Sequence, residues 1–188
     1  MTQIRVFVLL VAAMSSALCA PTFAQTCSLP GFTQAPVYPV GSDVRSVGVA
    51  DFDGDGSPDL AVANADASSV TVLLNVGRGE PAIINTHAVG TFPLSVATGD
   101  FTGDGKPDII SASNSSGTIS LLRNNGSGGF VPAGTFNSGF GGVDMAVGDF
   151  NNNGTLDVAV AFGSGVSILL GKWSGKLQCA NIFSSVGE

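Results

Sequence analysis

Basic residues and histidine are scarce in this chain of 188 residues. Seven lysine and arginine residues stand against 14 acidic residues, so the formal net charge is −7. Nucleic acids and anionic membrane surfaces attract positively charged proteins, so neither is an expected partner. A single histidine, His87, excludes a zinc site built from several histidines.

Long stretches rich in Glu, Lys and Leu, which favour helices, are also absent. Only 11% of the residues are charged, whereas glycine occurs 26 times. This composition is typical of a turn-rich β protein, and the length corresponds to about one domain.

Motifs of common catalytic sites are missing as well. The chain has no G-x-S-x-G, C-x-x-C or P-loop sequence. Clustered aspartates could act as a glycosidase pair, but they recur in every repeat described below, and catalytic pairs are seldom repeated. We therefore expect that the chain is not an enzyme.

The N-terminus has the pattern of an export signal. Arg5 precedes an apolar segment at 6–14 that is too short to span a bilayer, and small residues follow. We expect cleavage after Ala24, a signal peptide at 1–24 and a secreted or periplasmic domain at 25–188. A membrane anchor or a first core strand is the alternative, and no other apolar run is long enough to cross a membrane.

Two cysteines would remain after cleavage, Cys27 and Cys179. In an oxidising compartment they could form a disulfide that joins the two ends of the domain. Two independent thiols, or bonds to other chains, are the alternatives.

One acidic motif occurs three times at a spacing of 49 residues. DFDGDGSPD begins at Asp51, DFTGDGKPD at Asp100 and DFNNNGTLD at Asp149. Each motif follows a short apolar run and precedes another. Further strand patterns lie at 69–74, 117–122 and 165–170, and weaker ones at 82–89, 130–136 and about 176–183.

Four short strands per repeat are typical of a β-propeller blade. We predict an all-β fold, a partial or small β-propeller of about three four-stranded antiparallel blades with calcium-binding loops. The repeats span about 42–90, 91–139 and 140–188. A β-sandwich and a β-solenoid are the alternatives, but a sandwich need not repeat in sequence and a solenoid rung is usually shorter.

The motif and its flanking strands resemble the FG-GAP/VCBS repeats, which are similar to the blades of integrin α-subunit propellers. The resemblance extends over about 37–186. It implies calcium binding in the loop between two blade strands. It also implies roles in extracellular adhesion and recognition, or as an accessory to secreted enzymes.

The loop residues favour calcium independently, because calcium binds six to eight oxygen ligands. Alternate residues of a tight loop can point toward one centre, and Gly56 permits the sharp turn. The candidate ligands of the first loop are Asp51, Asp53, Asp55, Asp59 and the backbone carbonyl of Ser57. Those of the second are Asp100, Thr102, Asp104, Lys106 and Asp108. Those of the third are Asp149, Asn151, Asn153, Thr155 and Asp157.

Carboxylate count ranks the three loops, because ligand charge tunes calcium affinity. The loops carry four, three and two carboxylates in chain order. We predict that affinity decreases in that order, with up to three ions and the third site doubtful. Turns that need no metal are the alternative. An EF-hand is excluded because the twelfth position is Val62, Ser111 or Val160, none of which can serve as its bidentate glutamate.

Phe52, Phe101 and Phe150 follow the first aspartate of each loop, which suggests packing between blades rather than an aromatic ligand site. The segment 36–41 aligns with the residues that precede the later repeats. We therefore expect it to be the last strand of a missing blade, and we expect the third blade to have a degraded outer strand. Three arrangements are the alternatives for these blades: an open arc, self-association into a larger ring, and a fragment of a longer propeller.

The sequence thus predicts a secreted calcium-binding repeat module for recognition or adhesion, with an extracellular protein or glycan as its partner. An accessory module of a secreted hydrolase, or a scaffolding or degenerate propeller fragment, is the alternative.

Overall fold

A computed structural model of the protein describes residues 37–75, 81–139, 141–172 and 174–184. The chain divides into two compact units, Met1–Pro39 and Val40–Glu188, and the second contains all the strands described here. The predicted signal peptide and Cys27 lie outside the described residues, as does the predicted Cys27–Cys179 disulfide. Within the described part of the chain, no helix has the length and apolarity needed to cross a membrane.

Twelve strands form three separate four-stranded sheets, and each sheet is antiparallel in chain order. Blade 1 contains β1 (Val44–Ala50), β2 (Asp59–Asn64), β3 (Ser69–Asn75) and β4 (Pro81–Ala88). Blade 2 contains β5 (Pro93–Gly99), β6 (Asp108–Ser113), β7 (Thr118–Asn124) and β8 (Phe130–Asn137). Blade 3 contains β9 (Asp144–Gly148), β10 (Asp157–Phe162), β11 (Gly165–Lys172) and β12 (Lys176–Ser184).

This architecture confirms the predicted all-β fold of three four-stranded antiparallel blades, consistent with a small partial propeller. Each blade repeats one register irregularity between its third and fourth strands, at Val72/Leu73, Leu121/Leu122 and Ile168/Leu169. The repeated β-bulge shows that the three sequence repeats fold into the same unit.

Two predictions about the ends of the domain are wrong. Residues 37–41 form no strand. The carbonyl of Val40 instead accepts a hydrogen bond from the Thr71 hydroxyl at 3.0 Å, and Pro39 has no N–H to donate to a ladder. The outer strand of blade 3 is not degraded, because β12 pairs with β11 from Lys176 to Ser184.

The blades pack face to face through two apolar cores. The first core joins blades 1 and 2 and includes Phe52, whose ring meets Phe130 edge-on at 5.2 Å between centroids. The second joins blades 2 and 3 and includes Phe101, with Leu156 packed against it. Phe52 and Phe101 therefore lie between blades as predicted. Phe150 does not, because no described blade follows blade 3.

Polar contacts also connect neighbouring blades. The buried Asn124 amide donates to the carbonyls of Phe52 in blade 1 and Pro107 in blade 2, at 2.9 and 3.0 Å. The inner strands lie side by side, since the Val96 N–H donates to the Ser46 hydroxyl at 3.1 Å and the Ser95 hydroxyl to Asp144 at 3.0 Å. These bonds place the three acidic loops at equivalent positions of successive blades.

Candidate metal centre

Each acidic loop connects the first strand of a blade to the second. The first loop runs from Asp51 to Pro58, between β1 and β2. Gly56, Gly105 and Gly154 occupy the sixth loop position and have φ values of 86°, 79° and 82°. Only glycine adopts this conformation readily, so the predicted sharp turn at Gly56 is confirmed.

The first aspartate of each loop binds the loop's own backbone. In loop one, the N–H groups of Gly54 and Gly56 donate to the two carboxylate oxygens of Asp51 at 2.8 and 2.9 Å. Asp100 accepts the equivalent bonds from Gly103 and Gly105 at 2.7 and 2.8 Å. The carboxylate of the first aspartate therefore shapes the turn through these backbone hydrogen bonds.

The last aspartate of each loop is fully buried and anchors the loop to a distant strand. Asp59 accepts the N–H of Phe52 at one oxygen and the N–H of Asn75, at the end of β3, at the other, both at 2.7 Å. Asp157 accepts those of Phe150 and Gly171 at 2.9 and 2.7 Å. This carboxylate, at the start of the second strand, joins the acidic loop to the third strand of its blade.

Asp108 is the most heavily bonded of these three anchors. It accepts N–H groups of Phe101 and Thr102 at one oxygen, both at 3.1 Å, and of Asn124 at the other at 2.9 Å. Burial raises the pKa of Asp108 and also that of Asp59, because a charged carboxylate loses hydration inside the blade, and the backbone N–H donors oppose this shift.

Loop one brings three carboxylates together. Asp51, Asp53 and Asp59 each place an oxygen within 4.8 Å of the others, the one such group of metal-ligating side chains among the described residues. Asp55 lies outside this group on an exposed part of the loop, where it accepts the Ser57 N–H at 2.6 Å. Three carboxylate groups suit a hard divalent cation, which they could hold as oxygen ligands.

Loop two does not assemble the same group, because Thr102 replaces the middle carboxylate. Asp104 is exposed and accepts the N–H of Lys106 at 3.1 Å. The Lys106 ammonium group donates a hydrogen bond to the backbone carbonyl of Asn125, which lies in the β7–β8 turn of the same blade, at 3.1 Å.

Loop three is closed by amide and hydroxyl groups. Asn153 accepts a hydrogen bond from the N–H of Thr155. The Thr155 hydroxyl, which has a single proton to donate, lies within hydrogen-bond distance of both the Asn153 side-chain oxygen and the Gly171 carbonyl, the latter at 3.0 Å. The backbone N–H of Gly154, with those of Asn151, Asn152 and Asn153, lowers the pKa of the exposed Asp149. Asn151 completes the turn by accepting the Asn153 N–H at 3.0 Å.

The sequence analysis treated the last aspartates only as metal ligands and missed their role as backbone anchors. A signal was present, because the first and last aspartates persist in all three loops while the positions between them change to threonine or asparagine. The partner N–H groups lie 14 to 16 residues further along the chain, a distance that no local pattern reveals.

A family model for FG-GAP-like repeats matches residues 51–111 and 100–160, and each match begins at the first aspartate of a loop. The chain belongs to the FG-GAP-like repeat family. The two matches overlap and together include the three acidic loops. No curated protein shows significant similarity to this FG-GAP-like chain.

Two crystal structures share the fold. A functionally unknown protein from Desulfotomaculum acetoxidans DSM 771 aligns with 73% of this chain at 18% identity and a TM-score of 0.58. A protein from Lactobacillus plantarum aligns with 75% at 16% identity and a TM-score of 0.54. The FG-GAP-like chain spans 42% and 41% of the lengths of these two proteins.

His87, the chain's single histidine, packs beside Phe130 with 5.8 Å between ring centroids. Its Nε2 atom is buried without a hydrogen-bond partner among the described residues, and burial lowers its pKa from 6.5. The His87 ring therefore lies against an aromatic side chain of the first core.

Acidification through pH 6.5 is expected to reduce the free energy of unfolding through His87. The unfolded histidine takes up a proton near its ordinary pKa, whereas the folded one takes it up only at lower pH, so protons favour the unfolded chain. Urea unfolding of the wild type and His87→Gln at pH 7.5 and 5.5 measures this effect, and the loss should be smaller in the variant. If the wild type and the variant lose the same free energy of unfolding between pH 7.5 and 5.5, His87 is not the source of the pH dependence.

Proposed function

We propose that this FG-GAP-like chain is a secreted or periplasmic, calcium-binding, propeller-like module that recognises an extracellular protein or glycan. The grouping of Asp51, Asp53 and Asp59 carries the proposal, because three clustered carboxylates favour a divalent cation. The resemblance to extracellular adhesion modules and the export-signal pattern of the N-terminus support the location.

Charge distribution supports calcium over a purely structural turn. Nine of the chain's 14 acidic residues lie in the three loops. Such carboxylates repel one another, and a divalent ion would offset that repulsion. Three ions would bring the processed chain from a net charge of −8 to −2. We assign the ion a structural role and the module no enzymatic activity.

Calcium calorimetry tests the assignment and the order of the loops. Asp53→Asn is expected to remove the tightest binding event, Asp104→Asn a weaker one, and Asn153→Ala the weakest or none. Asp66→Asn, an exposed carboxylate in the β2–β3 turn, is the matched control and should bind as the wild type does. Tightest binding that survives Asp53→Asn would contradict the proposed site.

Recognition is tested separately with a glycan array in the presence of calcium or a chelator. We expect binding to a restricted set of glycans that is lost with chelator and in Asp53→Asn. Glycan binding that is identical with calcium and with chelator would show that recognition does not depend on calcium in the loops.

A further inference from the structure

The junction between blades 1 and 2 contains a group of buried serines. Ile109 of β6 packs into the core shared with blade 1, whereas Ile110 and Ala112 pack into the core shared with blade 3. Because side chains alternate along a strand, Ser111 and Ser113 lie on the same side of β6 as Ile109. Both serines therefore face blade 1.

The hydroxyl groups of Ser111 and Ser113 are cut off from bulk solvent. Both residues are fully buried, and neither hydroxyl oxygen has a hydrogen-bond partner within the ranges that the structure describes. Burying a hydroxyl group without a partner costs free energy, because the group loses its hydration. Native proteins usually satisfy such groups through the chain itself or through an ordered water molecule.

The same positions in the other blades are mostly apolar. Val160 and Phe162 of blade 3 correspond to Ser111 and Ser113 by the 49-residue repeat, and Val160 packs into the core shared with blade 2. Blade 1 has Val62 at the position of Ser111. Ser111 thus places a polar group where the two other blades place a valine.

The opposing surface of blade 1 is also built from small residues. Ala61 and Val70 of blade 1 face blade 2, and they correspond to Ile110 and Ile119 of blade 2, which face blade 3. The side chains that meet at the first junction are therefore smaller on both sides than those at the second. Small side chains favour space between the blades, and the serine hydroxyls make that space polar.

A third hydroxyl and a surface cleft lie beside these serines. Ser120 of β7 pairs directly with Ser111, and Thr135 of β8 pairs with Ser120. Ser120 and Thr135 line a cleft of about 210 Å³ together with Val89. The three hydroxyl-bearing residues form a row across neighbouring strands, from the exposed Thr135 through Ser120 to the fully buried Ser111.

The linker between blades 1 and 2 covers this row from outside. The Gly90 N–H donates to the Ser120 hydroxyl oxygen at 3.1 Å. A side chain at Gly90 would lie 2.8 Å from the Cβ atom of Ser113, so the linker backbone passes close to both serines. The bond from Gly90 uses one acceptor site of Ser120, and a hydroxyl group has a second acceptor site.

We propose that the junction of blades 1 and 2 binds ordered water, hydrogen-bonded to the hydroxyl groups of Ser111, Ser113 and Ser120. A buried water molecule typically makes about three hydrogen bonds to groups that otherwise have no partner, and these three hydroxyls supply them. Cross-strand partners such as Ser111 and Ser120 have Cβ atoms about 5 Å apart, a separation that one water molecule can bridge. The cleft beside Ser120 provides the route of entry.

Two measurements on the whole chain test this water site. A high-resolution crystal structure of the wild type should show water within about 3 Å of the hydroxyl oxygens of Ser111 and Ser113. Oxygen-17 magnetic relaxation dispersion counts the water molecules that stay in a protein far longer than surface water does. Ser111→Val, which inserts the residue found at this position in blades 1 and 3, should lower this count by about one or more.

Ser95→Ala is the matched control, because Ser95 is a buried serine of blade 2 whose hydroxyl already donates to Asp144 at 3.0 Å. Its count of long-lived water molecules should equal that of the wild type. Cooperative thermal unfolding identifies folded variants, and Ser111→Ala, which removes the same hydroxyl, replaces Ser111→Val if that variant does not fold. Crystals in which both hydroxyls bond only to the chain, an unchanged count in the folded Ser111 variant, or an equal loss in Ser95→Ala would each overturn the proposal.

Discussion

Asp108→Ala should lower the free energy of unfolding by about 3–5 kcal/mol without calcium, because three backbone N–H groups lose their acceptor inside blade 2. Asp108→Asn should lower the free energy of unfolding by less, about 2 kcal/mol. The amide oxygen can still accept the N–H groups that meet one oxygen of Asp108, but the NH₂ group would face the N–H donor at the other oxygen position. Urea unfolding in a chelating buffer measures both values and separates the anchoring role from metal binding.

Asp104→Asn is the control for loop two, because Asp104 is exposed and bonds only within the turn. Its change should stay within about 0.5 kcal/mol of the wild type in chelator. Asp108 variants that are as stable as Asp104→Asn would show that the last aspartate does not anchor the blade.

Calcium should raise the unfolding temperature of the wild type, and a chelator should reverse the change. An ion that binds only the folded chain adds about 2.7 kcal/mol at a hundredfold excess over its dissociation constant. For a domain of this size, that corresponds to roughly 5–10 °C. Asp53→Asn should lose most of this gain, because it removes one of the three carboxylates that the fold brings together.

Asp66→Asn again provides the comparison, since it removes an acidic group outside the three loops and should respond to calcium as the wild type does. Magnesium in place of calcium tests ion preference, because magnesium is smaller and demands octahedral geometry. An unfolding temperature that is the same with calcium, magnesium and chelator would contradict metal binding and indicate that loop one is a turn that needs no ion.

The blades were predictable because their signals are local and repeated. The strand patterns at 69–74, 117–122 and 165–170 lie within β3, within one residue of β7, and within β11. Gly56 has the positive φ that its place in the turn requires. The prediction of a strand at 36–41 is wrong for residues 37–41. It rested on alignment with the later repeats, and such an alignment carries no information about hydrogen-bond partners. There the Val40 carbonyl bonds to the Thr71 side chain instead of a ladder.

The sequence by itself determined the four-stranded repeat, its 49-residue period and the position of the acidic loops, because alternation and turn chemistry act over a few residues. The tertiary structure decided which loop side chains meet and which aromatic rings are covered. Asp51, Asp53 and Asp59 converge while Asp55 turns outward. Phe52 and Phe150 have the same sequence context, yet only Phe52 is buried, because burial depends on the neighbouring blade rather than on the residue's own segment.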